Sequence, residues 1–135
     1  MIEPSLAQVT PMLYAILCYN SEEVVSSWTP EEDAAVMARL DVVHQKLRAA
    51  GKIGPSARLR GTQAATTLKK GHNPPLFIDG PYAETKEQFL GFYVVNVESL
   101  EEAKSIATDL EQANPGVGGY EIRPVSLFLP GGEVS

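Results

Sequence analysis

Two runs of apolar residues, Met12–Tyr19 and Phe89–Val97, constrain the fold of this chain more than any other feature of its sequence. A strand with one face in water alternates apolar and polar residues, whereas these runs are largely apolar at both alternate positions. That pattern is typical of central strands that are covered on both faces. The sequence therefore predicts two central strands in one sheet, with cover needed on each side of that sheet.

Two helices are predicted between the strands. Thr29 can cap the first helix, Pro30 suits its first position, and Glu32 completes a capping box. Gly51 suits the left-handed residue that ends this helix. Ser99 begins the second helix with a similar box. The predicted buried stripes are Val36, Leu40, Val43 and Leu47 in the first helix and Ala103, Ile106, Ala107, Leu110 and Ala113 in the second.

The remaining segments supply a loop and shorter strands. Asn20–Ser27 is predicted to be a loop, Ile53–Leu68 to hold one or two short strands, and Leu76–Asp79 to be the return strand of a hairpin. Tyr120–Arg123 alternates as a final strand. This order predicts an α+β fold with both helices on one face of the sheet. The other apolar face would be exposed, and a two-fold homodimer through the sheet face would cover it.

Composition limits the classes of function. The 135 residues suffice for one domain, and we expect an N-terminal extension at 1–10, a domain at 11–127 and a flexible tail at 128–135. The net charge of −6 argues against nucleic acid and anionic membranes as partners. Met12–Cys18 is far shorter than the ~20 apolar residues that span a bilayer. The single cysteine, Cys18, is expected to be a buried thiol, which fits a reducing cytoplasm.

Several familiar site motifs are missing from the sequence. It has two histidines and one cysteine, with no H-x-x-x-H or C-x-x-C spacing, so a transition-metal site has little support. It also lacks a glycine-rich phosphate loop and a G-x-S-x-G elbow. We therefore expect neither a metal nor a cofactor.

A charged turn lies between two of the predicted strands. Asp79-Gly80-Pro81 reverses the chain, and Glu84, Lys86 and Glu87 follow it. Mixed charges held at a strand end suit a ligand site or a proton-transfer site. The structural alternative is that Asp79 accepts backbone N–H bonds in the turn while the other three are surface charges. Both interpretations of Asp79 stay open at this point.

The stretch from Asp79 to Glu87, with its continuation Gln88–Tyr93, resembles the signature of the YCII-related family, in particular its DGPF-type branch. Tyr82 stands where that branch usually has phenylalanine. The resemblance extends over roughly Met12–Val125. It implies a ferredoxin-like α+β fold that pairs as a dimeric α/β barrel.

The resemblance also bears on function. One branch of the family resembles a small-molecule lyase with a His–Asp pair, and other members look like companions or fused parts of alternative sigma-factor systems. In the lyase-like branch the histidine lies about three turns before the closing glycine, near Leu40 in this sequence, so no catalytic role passes to His44 by position. The family motif keeps a cation among acids, which favours a functional role for Lys86.

Three further residues complete the candidates. His44 borders the buried stripe, where a neutral imidazole can act as a base, although a satisfied boundary histidine is more common. Tyr19 and Arg123 are expected to reach the same end of the sheet, and each has a packing or ion-pairing alternative. Arg58 and Arg60 suit either an anion site or a solvent-facing strand.

The leading hypothesis is a cytoplasmic homodimer that binds a small molecule between sheet and helices and performs cofactor-free acid–base chemistry, as a lyase or isomerase. Asp79 would carry or orient a proton, and Lys86 would neutralise developing negative charge. The ligand-binding candidates are Tyr19, His44, Glu84, Glu87 and Arg123. The rival hypothesis is a non-catalytic dimeric binding or regulatory module, so the sequence leaves open whether the protein is an enzyme.

Overall fold

The computed structural model describes residues 12–131 and arranges them in one sheet, one hairpin and three α-helices. The elements are β1 (Met12–Asn20), α1 (Glu22–Ser26), α2 (Pro30–Ala49), β2 (Ile53–Arg58), a 3-10 turn (Thr62–Ala64), β3 (Thr66–Lys69), β4 (Leu76–Asp79), β5 (Gln88–Val97), α3 (Leu100–Ala113) and β6 (Gly119–Pro124). Their order confirms the predicted alternation of strands and long helices.

Four of the strands form an antiparallel sheet in the order β2–β5–β1–β6. The two apolar runs are its central strands, as predicted, and their register places Ile16 opposite Tyr93. Two strand–helix–strand units joined in this order are consistent with a ferredoxin-like topology. The predicted α+β class is therefore confirmed.

Both long helices pack on the same face of this sheet. Of the two predicted capping boxes, that of α2 is present, because Thr29 Oγ1 accepts the N–H of Glu32 at 3.0 Å and Glu32 Oε1 accepts the N–H of Thr29 at 2.8 Å. The box of α3 forms by half, because Ser99 Oγ accepts the N–H of Glu102 at 3.1 Å but Glu102 Oε1 accepts the N–H of Glu98 instead of that of Ser99. Gly51 adopts a φ of 69° just beyond α2, which a residue with a side chain rarely does. The core comprises Tyr14, Ile16, Val95 and Val97 from the sheet and Val36, Leu40, Leu47, Ala103, Ile106, Leu110 and Ala113 from the helices.

The opposite face of the sheet is apolar along its central strands. Alternation assigns to it Leu13, Ala15, Leu17, Phe92 and Val94, together with Glu121 and Arg123 of β6. The five apolar residues are half-buried. Both long helices lie on the other side, so this face has no helical cover from α2 or α3.

Two stretches differ from the sequence-based expectation. The prediction of a loop at Asn20–Ser27 is wrong for Glu22–Ser26, which forms the short helix α1. The stretch after β2 leaves the main sheet, because β3 pairs with β4 as a separate hairpin in which Leu68 lies opposite Phe77. The predicted hairpin is confirmed, and it carries Asp79 at its end.

The predicted domain limits lie partly outside the described residues. The extension at 1–10 and the last four residues of the tail at 128–135 are not among them. Leu127 and Leu129 are 73% and 77% exposed, so this end of the described chain does not belong to the core. Over residues 12–131, no helix combines the length and the apolar character that crossing a membrane requires.

Candidate functional site

A cavity of about 310 Å³ lies between α2 and the face of the sheet on which the helices pack. Its apolar walls include Val25, Trp28, Val36, Met37 and Leu40. The polar side chains that line it are Cys18, Asn20, His44, Ser56, Arg58, Tyr93, Asn114 and Tyr120. A concave site with mostly apolar walls and a few convergent polar groups is the usual form of a small-molecule pocket.

A hydrogen-bonded pair of aromatic side chains stands at the polar end of this cavity. His44 Nε2 lies 2.7 Å from the hydroxyl oxygen of Tyr93, and the two rings are tilted with centroids 5.3 Å apart. The helical repeat brings His44 here, because it follows Leu40 by four residues on the same face of α2. Tyr93 faces the same space because it alternates with Val95 of the core.

Burial sets the protonation of this pair. Desolvation lowers the pKa of His44 below 6.5, opposed by the charge of Asp41 and reinforced by that of Arg48. Desolvation also raises the pKa of Tyr93, and the nearby Cys18 and Tyr120 raise it further. At neutral pH the pair therefore consists of a neutral imidazole and a neutral phenol, which can exchange a hydrogen bond or a proton with a bound molecule.

Two other acidic groups of the cavity are also held neutral. Burial raises the pKa of Cys18 to about 12, and Cys18 Sγ donates to the carbonyl of Ile16 at 3.8 Å. Burial, followed by the proximity of Cys18, raises the pKa of Tyr120 to about 12. The thiol that was expected to be buried is half-buried, and it is unsuited to nucleophilic chemistry because its thiolate is not populated at neutral pH.

An ion pair stands at the edge of the cavity. Arg58 of β2 lines the cavity, and its Nη2 donates to Oδ1 of Asp33 on α2 at 2.9 Å. The two side chains are 54% and 38% exposed, so the pair is largely solvated. Arg58 also lines a second depression next to the cavity, together with Arg60. Of the two arginines that the sequence indicated, only Arg58 reaches the cavity.

Gly91 allows β2 to form the wall of this cavity. A Cβ at Gly91 would lie 2.5 Å from the carbonyl oxygen of Ala57, which is closer than real contacts allow. Arg58 pairs directly with Gly91 in the sheet register. The glycine in the stretch Gln88–Tyr93 is therefore required by the close approach of the edge strand, which in turn positions Arg58.

The charged turn lies outside this cavity. Asp79, Glu84, Lys86 and Glu87 are exposed, and none of them is among the residues that line it. Asp79 and Glu84 line a shallow surface depression instead. Among the described residues no hydrogen bond or ion pair forms to these four side chains. The roles predicted for them stay predictions.

Other groups hold the turn in place. Gly80 donates its N–H to the carbonyl of Ala65 at 2.8 Å, and Thr67 Oγ1 donates to the carbonyl of Gly80 at the same distance. Gln88 Nε2 donates to the carbonyl of Thr85 at 2.7 Å. Backbone, threonine and glutamine groups therefore fix the turn, rather than the carboxylate of Asp79.

A second network connects this turn to α1. Gln88 Oε1 accepts the N–H of Glu22 at 2.9 Å. The carboxylate of Glu22 accepts the Oγ1 hydroxyl of Thr62 at 2.6 Å and also its backbone N–H. Glu22, Thr62 and Gln88 were not among the sequence candidates, because their partners are distant in the chain. In the sequence, only the polar side chain of Gln88 at the start of an otherwise apolar strand indicates such a long-range hydrogen bond.

Tyr19 and Arg123 do not come together. Tyr19 pairs with Gly119 in the register, whereas Arg123 pairs with Ala15, four residues along β1 or about 13 Å away. The Tyr19 hydroxyl donates to Oε1 of Glu121 at 3.3 Å. The expectation that both reach the same end of the sheet is therefore wrong. Of the predicted ligand-binding residues, His44 lies at the cavity.

The described residues contain no cluster of three or more histidine, cysteine, aspartate or glutamate side chains that could hold a metal ion. His44 and Cys18 line the same cavity, but no carboxylate joins them there. The arrangement suits hydrogen bonding and proton transfer to an organic molecule.

Comparison with known proteins gives two matches. The sequence profile of the YCII-related domain matches residues 12–129. The uncharacterized protein R00369 of Rhizobium meliloti (strain 1021) is 53% identical over 120 residues, which cover 89% of this chain and 97% of the relative. Both matches include the cavity residues and the charged turn.

Proposed function

Because the chain belongs to the YCII-related family, we propose that it is a small-molecule protein of that family whose ligand occupies the cavity between α2 and the sheet. The observation that carries this proposal is the His44–Tyr93 hydrogen bond at 2.7 Å in the polar end of an otherwise apolar cavity. The volume of about 310 Å³ is at the small end of the range for ligand pockets, so the ligand is small.

The same pair suits cofactor-free acid–base catalysis. In the tautomer in which His44 Nε2–H donates to the Tyr93 hydroxyl oxygen, Nδ1 can take a proton from a bound molecule, and the Tyr93 O–H can donate a hydrogen bond to the negative charge that results. Eliminations and isomerisations require only proton transfer and stabilisation of the developing negative charge. This proposal keeps the lyase or isomerase chemistry of the leading hypothesis and gives the proton-transfer role to His44. Asp79 and Lys86 remain a second candidate site at the turn.

Variants of two adjacent valines test the location of the site. Val25 of α1 lines the cavity, whereas Val24 beside it is 45% exposed and does not. A metabolite library is screened by thermal shift against the wild type, Val25→Phe and Val24→Phe. We expect a ligand that stabilises the wild type and Val24→Phe but not Val25→Phe, because phenylalanine at position 25 fills cavity space.

The same screen includes Asp79→Asn. A ligand that loses its effect in Asp79→Asn but keeps it in Val25→Phe would move the site to the turn and refute the cavity. Once a ligand is found, His44→Gln should bind it and fail to turn it over. Turnover at the wild-type rate in His44→Gln would contradict the role of His44 as the base.

We further propose that two copies pair through the open sheet face as a dimeric α/β barrel in the cytoplasm. Val94 lies on this face opposite Ala15. When the open faces of two copies pack against each other, the apolar side chains of both faces are removed from water. Val94→Glu should yield a monomer in sedimentation velocity. Val42→Glu, at a 70% exposed site on α2, is the control and should leave the dimer intact. A wild-type monomer at micromolar concentration would reject the proposal.

The second candidate function is a non-catalytic regulatory module that binds a protein. It is favoured by the exposed apolar face of the β3–β4 hairpin, where Leu68 and Phe77 pair with each other and are 48% and 63% exposed. In that case Phe77→Ser should abolish binding of the protein partner, while binding of the small ligand in the cavity persists. Loss of ligand binding in Phe77→Ser would argue against two separate sites.

A further inference from the structure

The described residues that line the cavity carry a positive charge but no negative charge, and this imbalance indicates the class of the ligand. Among the described residues that line the cavity, Arg58 is the only lysine, arginine, aspartate or glutamate. Cys18, Tyr93 and Tyr120 are neutral at pH 7, since burial raises the pKa of each still further above its ordinary value, and burial lowers the pKa of His44, which favours its neutral form. Among the described lining groups a molecule in the cavity therefore meets one positive charge and no negative charge, and the carboxylate of Asp33 at the cavity edge is the partner of that positive charge.

The guanidinium of Arg58 keeps unused donors. A guanidinium has five N–H donors. Within the described residues, the guanidinium of Arg58 donates one hydrogen bond, from Nη2 to Oδ1 of Asp33. The ion pair between Arg58 and Asp33 is weak because both side chains are largely exposed, and an exposed ion pair contributes at most about 1 kcal/mol to stability. Asp33 also lies in the first turn of α2, where the helix dipole and water stabilise a free carboxylate.

Resting on the proposed cavity site, we infer that the ligand is a small monocarboxylate with an apolar or aromatic body. Its carboxylate binds Arg58 in place of Asp33, and its body lies against Trp28 and Leu40. The planar guanidinium matches a carboxylate with two parallel hydrogen bonds. A phosphate dianion fits less well, because its second negative charge finds no second cation among the lining residues of the described chain, 12–131.

The chain carries its own reporter for this inference. Trp28 is the only tryptophan in the sequence, and it lines the cavity. We would follow its fluorescence during titration with matched acid and amide pairs: benzoate with benzamide, phenylacetate with phenylacetamide, and hexanoate with hexanamide. Each amide has nearly the shape of its acid and lacks the charge, so the difference in affinity within a pair measures recognition of the carboxylate.

We expect at least one acid to bind about 10-fold more tightly than its amide, since hydrogen bonds to charged groups are the stronger class. Arg58→Gln should remove this preference by weakening the binding of the acid far more than that of the amide. Arg60→Gln is the control and should keep the preference, because Arg60 does not line the cavity. Asp33→Asn should tighten binding of the acid by up to about fivefold, as it frees Arg58 from its competing partner.

The outcomes separate this inference from the proposal on which it rests. Acids and amides that bind equally, or a preference that survives Arg58→Gln, would overturn the carboxylate class and leave the cavity as a binding site for neutral molecules. A preference lost equally in Arg58→Gln and Arg60→Gln would place the anion site in the neighbouring depression. If no member of any pair changes Trp28 fluorescence, the inference falls, and a hit in the thermal-shift screen that Val25→Phe abolishes would still uphold the cavity.

Discussion

The contact between His44 and Tyr93 can be measured directly, and its strength decides how well the polar end of the cavity is organised. Tyr93→Phe removes only the hydroxyl, and His44→Leu removes both ring nitrogens while keeping an apolar side chain. A neutral hydrogen bond contributes about 1 kcal/mol to stability, and the Nε2 to hydroxyl distance of 2.7 Å indicates that this one is well formed. A double-mutant cycle should therefore give a coupling free energy of about 1 kcal/mol.

The assay is urea-induced unfolding of the wild type, the two single variants and the double variant. Tyr120→Phe provides the matched control, because Tyr120 lines the same cavity but the hydroxyl that His44 Nε2 contacts is that of Tyr93. The free energies of Tyr120→Phe and His44→Leu should add. A His44–Tyr93 coupling below about 0.3 kcal/mol, within the usual error of additivity, would refute the pair as a fixed element of the site.

Three further predictions concern the wall of the cavity, the titration of the site and the turn. Gly91→Ala should lower the free energy of unfolding, measured in urea, by about 1–3 kcal/mol, because the new Cβ would lie 2.5 Å from the carbonyl oxygen of Ala57 and overpack the sheet. Gly54→Ala is the control and should cost clearly less, because its Cβ would lie 3.3 Å from a carbonyl oxygen of β5. Because the folded-state pKa of His44 lies below 6.5, the unfolded chain binds the proton more tightly, so stability should fall as pH drops through 6.5 and level off below the folded pKa. His44→Gln should lack this part of the pH profile, and identical profiles would contradict the shift. Asp79→Asn should change stability by less than about 0.5 kcal/mol, and a loss near 1 kcal/mol would restore the interpretation of Asp79 as a turn residue.

The parts of the fold that the sequence predicts well are those set by local interactions. The capping box of Thr29 and Glu32 needs only residues three apart, and both of its hydrogen bonds form. The two central strands follow from their composition alone, since few structures other than a covered sheet can bury such runs. The helix stripes follow from the 3.6-residue repeat in the same way.

The parts that the sequence misses depend on distant partners. α1 has only five residues, and its first residue, Glu22, is held by Thr62, which is 40 positions away. Local propensity carries no trace of such a contact. A helix this short has little stability of its own, so a loop was the natural expectation for Asn20–Ser27.

The cavity itself was partly within reach of the sequence. His44 follows Val36 and Leu40 at successive intervals of four, which places it on the buried face of α2. Tyr93 precedes Val95 by two residues and therefore faces the core side of β5. Their meeting was not predictable, because it depends on how α2 crosses the sheet. The charged turn is the more conspicuous candidate in the sequence, because charges next to a turn dipeptide can be seen there whereas a cavity cannot.

The alternation of β1 and β5 gives the two proposals separate residues on the same strands. Tyr93 faces the cavity, and Val94, the next residue, faces the open side. A change at Val94 therefore acts on association without adding or removing an atom of the cavity wall, and a change at Val25 acts on the cavity from the helical side. If binding and pairing nevertheless prove to depend on each other, the coupling must pass through the backbone of β5. By linkage it must then be reciprocal, so that the ligand tightens the dimer by the same factor as the dimer tightens the ligand.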